Sequence, residues 1–457
     1  MNQKNTALTA ERAIKPRRLP RYTSYPTALE FDALESNIYD LWLKQLPKDE
    51  AVSLYFHIPY CEKLCWFCGC FMAVSHKYGP VENFVDVLIK EVRQKAAKTG
   101  RLKVSHIHFG GGSPSILKPD DFKRLIDVVN DCFDLDNVDE FAVEIDPRTV
   151  DQLKIMSYAK AGVNRASLGI QDFNLKTQQT INRIQSLELI EETMANFKKA
   201  GIERINFDLI YGLPYQTLDT IKDTINKTLG FRPSRIALFG YAHVPHMKKH
   251  QQLIANHSLP DQHQRQAQFD LAREILQENG YKSIGLDHFA LGDDPLITTY
   301  DQGKLRRNFQ GYTKDTSDTL IGFGPSAISS MPGGYGQNIA DIKLYLQKIN
   351  SAHSPAARGL SLTDQDKMFR EIISTLMCYF EVDPDKILKA HHIEYDFTEQ
   401  FIALNKLIDA RYMKKEGSLY KITKEGRPYL RAIATIFDQY FDQSSDIIDR
   451  CIHESEG

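Results

Sequence analysis

Four cysteines stand within one ten-residue stretch. In Cys61-Glu62-Lys63-Leu64-Cys65-Trp66-Phe67-Cys68 the thiols fall at i, i+4 and i+7, and Cys70 follows two residues later. Soft thiolates bind zinc or iron–sulfur clusters. Structural zinc closes four ligands, commonly from two separated C-x-x-C pairs. This chain has no second pair, because Cys132, Cys378 and Cys451 each stand alone. A cubane cluster ordinarily takes four thiolates. Three cysteines on one short loop can hold three irons and leave the fourth open to a substrate or cofactor. The spacing, with an aromatic residue just before Cys68, therefore points to a catalytic cluster rather than to a zinc knuckle or plain buried cysteines.

The loop resembles the signature of the radical S-adenosylmethionine (radical SAM) superfamily. That resemblance implies Cys61, Cys65 and Cys68 as ligands of a [4Fe–4S] cluster. It also implies S-adenosylmethionine chelated through its amino and carboxylate groups on the open iron, and reductive cleavage to a 5′-deoxyadenosyl radical.

The bulk properties suit such an enzyme. The chain has 457 residues, enough for two or three domains, with 42% hydrophobic and 25% charged residues. A formal charge of −2 gives no basic excess for nucleic acid. No apolar run reaches the ~18 residues of a membrane span, and the polar N-terminus lacks a signal-peptide core. Seven cysteines, four of them in one loop, fit a reducing cytoplasm better than a disulfide framework. A cytoplasmic protein is expected.

The loop must be positioned by the elements around it. From about residue 50 to 245 a β-branched or aromatic run alternates with an amphipathic stretch. Strands are predicted at Val52–Pro59, Ser105–Gly111, Phe141–Asp146, Arg165–Gln171, Arg204–Tyr211 and Arg235–Tyr241. Helices are predicted at Val81–Ala97, Lys118–Cys132, Val150–Ala161, Leu187–Ala200 and Leu218–Leu229, several ending near glycine: Gly100, Gly162, Gly201 and Gly230. Alternating strands and helices argue for a parallel α/β sheet. The unit recurs about six times, so the expected fold is an α/β, six-unit βα partial TIM-like barrel, which is also the usual radical SAM core. Domain boundaries are expected at 1–47 (N-terminal arm), 48–290 (barrel), 291–358 (glycine-rich extension and linker) and 359–457 (mainly helical). In the last, a helix at Phe401–Ile408, a hairpin at Ala410–Thr423 turning at Glu416-Gly417, and a helix at Arg427–Tyr440 resemble a winged helix. With no basic recognition helix, it reads as a packing or lid domain.

In βα barrels the active site lies at the C-terminal strand ends, and polar residues gather there. Strand one leads into the cysteine loop. The others end in Gly110-Gly111-Gly112-Ser113, Glu144-Ile145-Asp146, Gln171-Asp172, Asp208 with Tyr211-Gly212, and Tyr241-Ala242-His243. Glycines permit close backbone approach to a ligand. Glu144 can accept from an ammonium group or a ribose, and arginine suits a carboxylate. Tyr55 alternates inward toward the cluster. His246 and His250 read as ordinary loop histidines rather than haem ligands.

The resemblance narrows further. Pro20-Arg21-Tyr22-Thr23-Ser24-Tyr25-Pro26-Thr27, Tyr55-Phe56-His57-Ile58-Pro59, Phe67-Cys68-Gly69-Cys70, Gly169-Ile170-Gln171-Asp172-Phe173 and Asp208-Leu209-Ile210-Tyr211-Gly212-Leu213-Pro214 occur in order. They are followed by Asp287-His288-Phe289, Asn308-Phe309-Gln310-Gly311-Tyr312 and Gly324-Pro325-Ser326-Ala327-Ile328-Ser329. This series resembles the oxygen-independent coproporphyrinogen III oxidases across nearly the whole chain. The resemblance implies oxidative decarboxylation of two propionates of coproporphyrinogen III to vinyl groups, and two bound S-adenosylmethionine molecules. Tyr55, Gly111, Glu144 and Ile328 match contacts to the cluster-bound one. Phe67, Gly112, Ser113, Gln171, Arg183, Asp208 and Ala242 match contacts to its neighbour. Cys70 and Tyr55 are the expected catalytic residues. The related haem-chaperone paralogues generally lack a cysteine at the position of Cys70, and they lack the Arg21–Thr27 arm. A haem-binding chaperone and a radical SAM methyltransferase acting on haem are the alternatives. A flavodoxin-type electron donor and a monomer are expected. The basic Lys15, Arg17, Arg18 and Arg21 either fold over a tetra-anionic substrate or form a solvated tail.

Overall fold

The computed structural model describes residues 19–456, with side chains through Cys451. Lys15, Arg17 and Arg18 lie outside the described residues. Packing groups the described residues into two compact units, Ala28–Thr363 and a second formed by the residues up to Thr27 with those from Asp364 onward.

In the larger unit six parallel strands follow one another across the sheet in chain order. They are β1 (Val52–Ile58), β2 (Val104–Gly111), β3 (Glu140–Ile145), β4 (Arg165–Gln171), β5 (Arg204–Tyr211) and β6 (Arg235–Gly240). The intervening helices are α1 (Gly79–Thr99), α2 (Pro119–Cys132), α3 (Gln152–Lys160), α4 (Leu187–Lys199) and α5 (Leu218–Phe231). The expected six-unit partial barrel is therefore present, and its strand bounds match the sequence pattern within a residue or two. Three of these five helices start on side chains that cap them. Asp151 accepts from the Lys154 amide, Ser186 from Leu189, and Thr217 forms a capping box with Thr220. Gly230 differs from the expected pattern. It sits inside α5, and Arg232 takes the left-handed cap conformation at φ 50°.

The register explains which residues face inward. Phe323, Phe56 and Phe109 stand on adjacent strands with ring centroids 4.8 and 4.6 Å apart, and Phe141 follows at 5.9 Å from Phe109. Phe122 of α2 packs on this aromatic row, so it is the helix-facing side. One residue along each strand, Tyr55, His108, Glu144, Ser167 and Asp208 fall on the other face, because successive side chains alternate.

Beyond the barrel the sheet gains further strands. A hairpin of β7 (Tyr281–Ile284) and β8 (His288–Leu291) adds antiparallel to β6, His288 opposite Ala237. Leu320–Phe323 (β9) pairs parallel with β1, Leu320 opposite Ser53. The strands β10 (Ile328–Met331), β11 (Gly334–Asn338) and β12 (Ala356–Ser361) continue past β9. The glycine-rich region is thus sheet, and it is fastened from below by Glu91 of α1. That buried carboxylate accepts from Gly324 N at 2.7 Å, Asn338 Nδ2 at 2.8 Å and Tyr345 OH at 2.6 Å, and pairs with Lys95 at 2.8 Å. Glu91→Ala strands the Lys95 ammonium without its counter-ion. It should cost about 3–5 kcal/mol, read as a lower urea midpoint; a midpoint equal to the parent's would show that Lys95 finds another partner.

In the smaller unit Tyr22 and Tyr25 are buried. The Tyr22 hydroxyl donates to Asp438 Oδ2 at 2.9 Å, Gln439 N donates to the Tyr25 hydroxyl at 3.0 Å, and the Tyr25 ring meets Phe369 and Tyr440 edge-on. The segment around Tyr22–Tyr25 is therefore anchored on the C-terminal residues. The helix Thr398–Asp409 and the hairpin Met413–Glu416 with Leu419–Ile422 match expectation, Glu416 facing Leu419 across the turn. The expected helix at Arg427–Tyr440 is instead short and broken: a 3₁₀ turn at Arg427–Tyr429, a helix at Leu430–Ala434 and a second 3₁₀ turn at Thr435–Phe437. Pro428 supplies no amide hydrogen within that span, and the Thr435 hydroxyl bonds back to the Ala432 carbonyl.

Candidate active site

After β1 the chain forms a two-residue bridge, with Tyr60 and Cys61 pairing with Ala73 and Val74. This closes the cysteine loop at its base. The loop's backbone is then tied from two sides. Trp66 N donates to Ile181 O at 2.9 Å, and Asn182 Nδ2 to Leu64 O at 2.7 Å. From the segment after β6, Gln251 Nε2 donates to Phe67 O at 2.9 Å, His250 Nε2 to Cys68 O at 2.7 Å and Lys248 Nζ to Cys70 O at 3.0 Å. His250 is thus a loop fastener. Trp66 and Phe67 pack against buried Ile181, Leu213, Tyr241 and Ile254.

The thiols perturb one another. Burial, then the charges of Cys68 and Cys65, push the Cys61 thiol up to about 12. Cys68 is drawn down to about 6, first by the hydrogen bond from the Cys70 thiol, against burial, and then by the Cys70 amide at 3.4 Å and by His250 and Lys248. Cys65 is buried, and two guanidiniums point at its sulfur: Arg148 Nη2 at 3.2 Å and Arg183 Nη1 at 3.4 Å. Asp146 joins the two arginines, at 2.7 Å from Arg148 Nη2 and 3.2 Å from Arg183 Nη1. Among the described residues no three His, Cys, Asp or Glu side chains gather tightly enough for one metal ion. A cubane asks only one thiolate per iron. Three neighbouring thiols on one fastened loop, with cations at the buried one, fit an anionic three-thiolate cluster.

Beside the loop stands a polar wall. The His57 Nε2–H donates to the Phe71 carbonyl at 2.9 Å, so Nδ1 accepts from the Tyr55 hydroxyl at 3.1 Å; burial holds this imidazole below its ordinary pKa. Burial, then Glu144 and Cys70, push the Tyr55 phenol well up. Glu144 Oε1 accepts from His108 Nε2 at 3.1 Å and Oε2 from Gly111 N at 3.1 Å. Burial would raise its carboxyl, but these donors hold it below the usual value. The glycine run has an internal reason to lack side chains. A Cβ at Gly110 would stand 2.6 Å from Glu144 Oε1, and one at Gly112 2.7 Å from Tyr60 O. At Gly111, φ is 106° and a Cβ would meet the His57 ring at 2.4 Å.

Glu144 and Asp208 line one cavity of about 180 Å³, together with His106, His108, Ser167, Asn206, His288, Asn308 and Gln310. Ser167 and Asn206 donate to Asp208, both at 2.8 Å. Burial, reinforced by Glu144, raises its carboxyl to about 6 despite those bonds. Gln171 sits at a register shift in β4 with φ 68°, a bulge that re-aims its side chain. Arg183 clasps Gly169 O through Nε and Nη2 at 3.2 and 2.6 Å. The Ser113 and Ser115 hydroxyls hydrogen-bond each other at 2.8 Å, the Ala242 carbonyl accepts from Gln251, and Ile328 opens β10. Tyr55, Phe67, Gln171, Ser113, Ala242 and Ile328 are not among the residues lining that cavity. His108, Arg148, Lys248 and Gln251 were not singled out from sequence. Only His108 carried a local signal, its inward alternation on β2.

Burial makes the ionised form of Asp208 costly. A carboxyl whose folded pKa is raised contributes stability below its unfolded pKa that is lost as pH rises through the folded value. Between the ordinary 3.8 and about 6 that contribution disappears. Asp208→Asn should therefore gain stability relative to the parent across that interval, with a constant gain at higher pH. Denaturant midpoints measured from pH 5 to pH 8 check this, and an Asp208→Asn variant no more stable than the parent at pH 8 would contradict it.

Comparison with known proteins agrees with this geometry. Residues 55–228 match the model of the radical SAM superfamily. The chain is 40% identical over 438 residues to the oxygen-independent coproporphyrinogen III oxidase of Bradyrhizobium diazoefficiens, covering 95% of this chain and 97% of that one. It is 35% identical over 435 residues to the enzyme of the same name from Escherichia coli K12, covering 93% and 94%. The solved structure of an Escherichia coli coproporphyrinogen III oxidase, described as a radical SAM enzyme, superimposes with a TM-score of 0.88 at 34% identity, over 92% of this chain and 98% of that one.

Proposed function

The chain belongs to the oxygen-independent coproporphyrinogen III oxidases of the radical SAM superfamily, and from that premise we propose how its residues divide the work. The reaction is oxidative decarboxylation of two propionates of coproporphyrinogen III to vinyl groups, giving protoporphyrinogen IX in haem synthesis. The observation that carries it is the near-full-length match, 34% identical with a TM-score of 0.88, to a solved coproporphyrinogen III oxidase.

Cys61, Cys65 and Cys68 hold the [4Fe–4S] cluster. When bound, cluster and S-adenosylmethionine together supply a 5′-deoxyadenosyl radical. Glu144 is placed to accept from the ammonium of the cluster-bound S-adenosylmethionine, while its other oxygen keeps Gly111 N in line. Asp208 and Arg183 face a second S-adenosylmethionine, with Phe67, Gly112, Ser113, Gln171 and Ala242; Gly111, Ile328 and Tyr55 attend the first. Tyr55 and Cys70 are the catalytic residues of this reading: the Tyr55 hydroxyl donates to His57 Nδ1, and the Cys70 amide donates to Cys68 Sγ. The enzyme is placed in the cytoplasm with a flavodoxin-type one-electron donor, acting as a monomer. No helix among the described residues is long and apolar enough to cross a membrane.

The test is an anaerobic incubation of reconstituted protein with coproporphyrinogen III, S-adenosylmethionine and reductant, read as protoporphyrin fluorescence after oxidation. Tight haem binding without product would instead indicate a chaperone, and methyl transfer to haem a methyltransferase. Equilibrium binding that saturates at one S-adenosylmethionine per cluster-loaded chain would remove the second site.

A further inference from the structure

We propose that Arg148 is a positioning residue for the cluster, donating an N–H to the Cys65 sulfur and making the cluster easier to reduce. This rests on the cluster assignment above. Arg148 lies just beyond β3, and no sequence motif marked it. Its side chain is only 8% exposed and is locked on several sides. Nε and Nη2 grip the Asp146 carboxylate at 2.9 and 2.7 Å, the Arg148 amide bonds the same carboxylate at 3.0 Å, and Nη1 reaches the Asn182 carbonyl at 3.4 Å. Asn182 in turn holds Leu64 O of the cysteine loop at 2.7 Å. One contact is left over from this clamp, Nη2 to Cys65 Sγ at 3.2 Å.

That contact has a direction in energy. A reduced cluster carries one more negative charge than an oxidised one. A fixed guanidinium on a ligand sulfur stabilises the added electron, and hydrogen bonds to sulfur and local charge are among the factors that set such potentials. Arg183 also reaches Cys65, at 3.4 Å, but its Nε and Nη2 are committed to Gly169 O. Arg148 is held by Asp146 and Asn182 and reaches the sulfur from that clamp, so its effect should fall on the electron rather than on cofactor affinity.

The experiment compares the parent, Arg148→Met and Arg148→Lys as full-length, reconstituted proteins. Iron and sulfide content, the thermal midpoint and an electron-paramagnetic-resonance redox titration are read for each. Arg148→Met should keep its iron and fold, while the reduced-to-oxidised ratio at a fixed potential falls about tenfold, a midpoint roughly 59 mV lower. Arg148→Lys, which keeps the charge but not the planar fork, should lie between. A four-iron Arg148→Met with the parent's midpoint overturns the proposal. So does loss of iron from both folded variants, since the arginine would then be holding the loop rather than tuning the cluster. A parent chain that takes up no cluster fails the functional assignment itself, a result distinct from either.

Discussion

Cys65→Ala, reconstituted anaerobically, should hold far fewer than about four irons and leave S-adenosylmethionine uncleaved. Cys65 is the buried thiol of the loop, and its sulfur is the one that meets both Arg148 and Arg183. Replacing a group that merely supports a metal ligand typically costs about 10–100-fold in affinity or activity. Removing the ligand should exceed that and reach background. Without the thiolate, Arg148 and Arg183 also lose their anionic partner and are left with Asp146. Cys70→Ala is the matched control. The Cys70 amide, not only its thiol, donates to Cys68 Sγ, so alanine keeps that bond and the cluster should load normally. Iron analysis and the visible absorption of the reconstituted proteins decide the matter. Four irons and active cleavage in the Cys65→Ala protein would show that the loop uses a different set of ligands.

The second large effect is expected at Glu144. Its carboxylate joins three parts of the site: His108 on β2, Gly111 at the strand end, and the cavity it shares with Asp208. Glu144→Ala should weaken the cluster-bound S-adenosylmethionine by about 1.5–3 kcal/mol, roughly ten- to a hundred-fold, and suppress cleavage at ordinary cofactor concentrations. Glu144→Gln can still accept from Gly111 N but loses the charge. It separates backbone support from charge pairing, and should fall between parent and alanine. Binding is measured by equilibrium dialysis on cluster-loaded protein without reductant, so that turnover does not intervene. Parent-like affinity in the alanine variant would assign Glu144 to scaffolding alone.

The sequence by itself determined the cysteine loop, the six βα units and the family. These are local properties. Ligand spacing is covalent, and a strand such as Val52–Ile58 announces itself by its β-branched and aromatic residues, Val52, Tyr55, Phe56 and Ile58. The series of motifs from Tyr22 to Ile328 carried the family. Winged-helix-like features were legible where a turn residue marked them, as at Gly417 with φ 63°. They failed at Arg427–Tyr440, where Pro428 and two 3₁₀ turns divide the expected helix.

Only the tertiary structure decided what is made through space. β9 pairs with β1 across more than 250 residues of chain, and no local pattern encodes a partner at that distance. The same holds for Tyr22, whose hydroxyl finds Asp438, 416 positions further along. The glycines Gly110–Gly112 read from sequence as close backbone approach to a ligand; the fold adds a second reason for them, since a Cβ there would meet Glu144, His57 or the loop backbone. His108, Arg148, Lys248 and Gln251 join the site because strand register and loop packing bring them there. A hydrogen bond needs two groups within about 3 Å. Spacing along the chain can assure that for a turn or a helix cap, but for groups on different strands and loops only the folded sheet can.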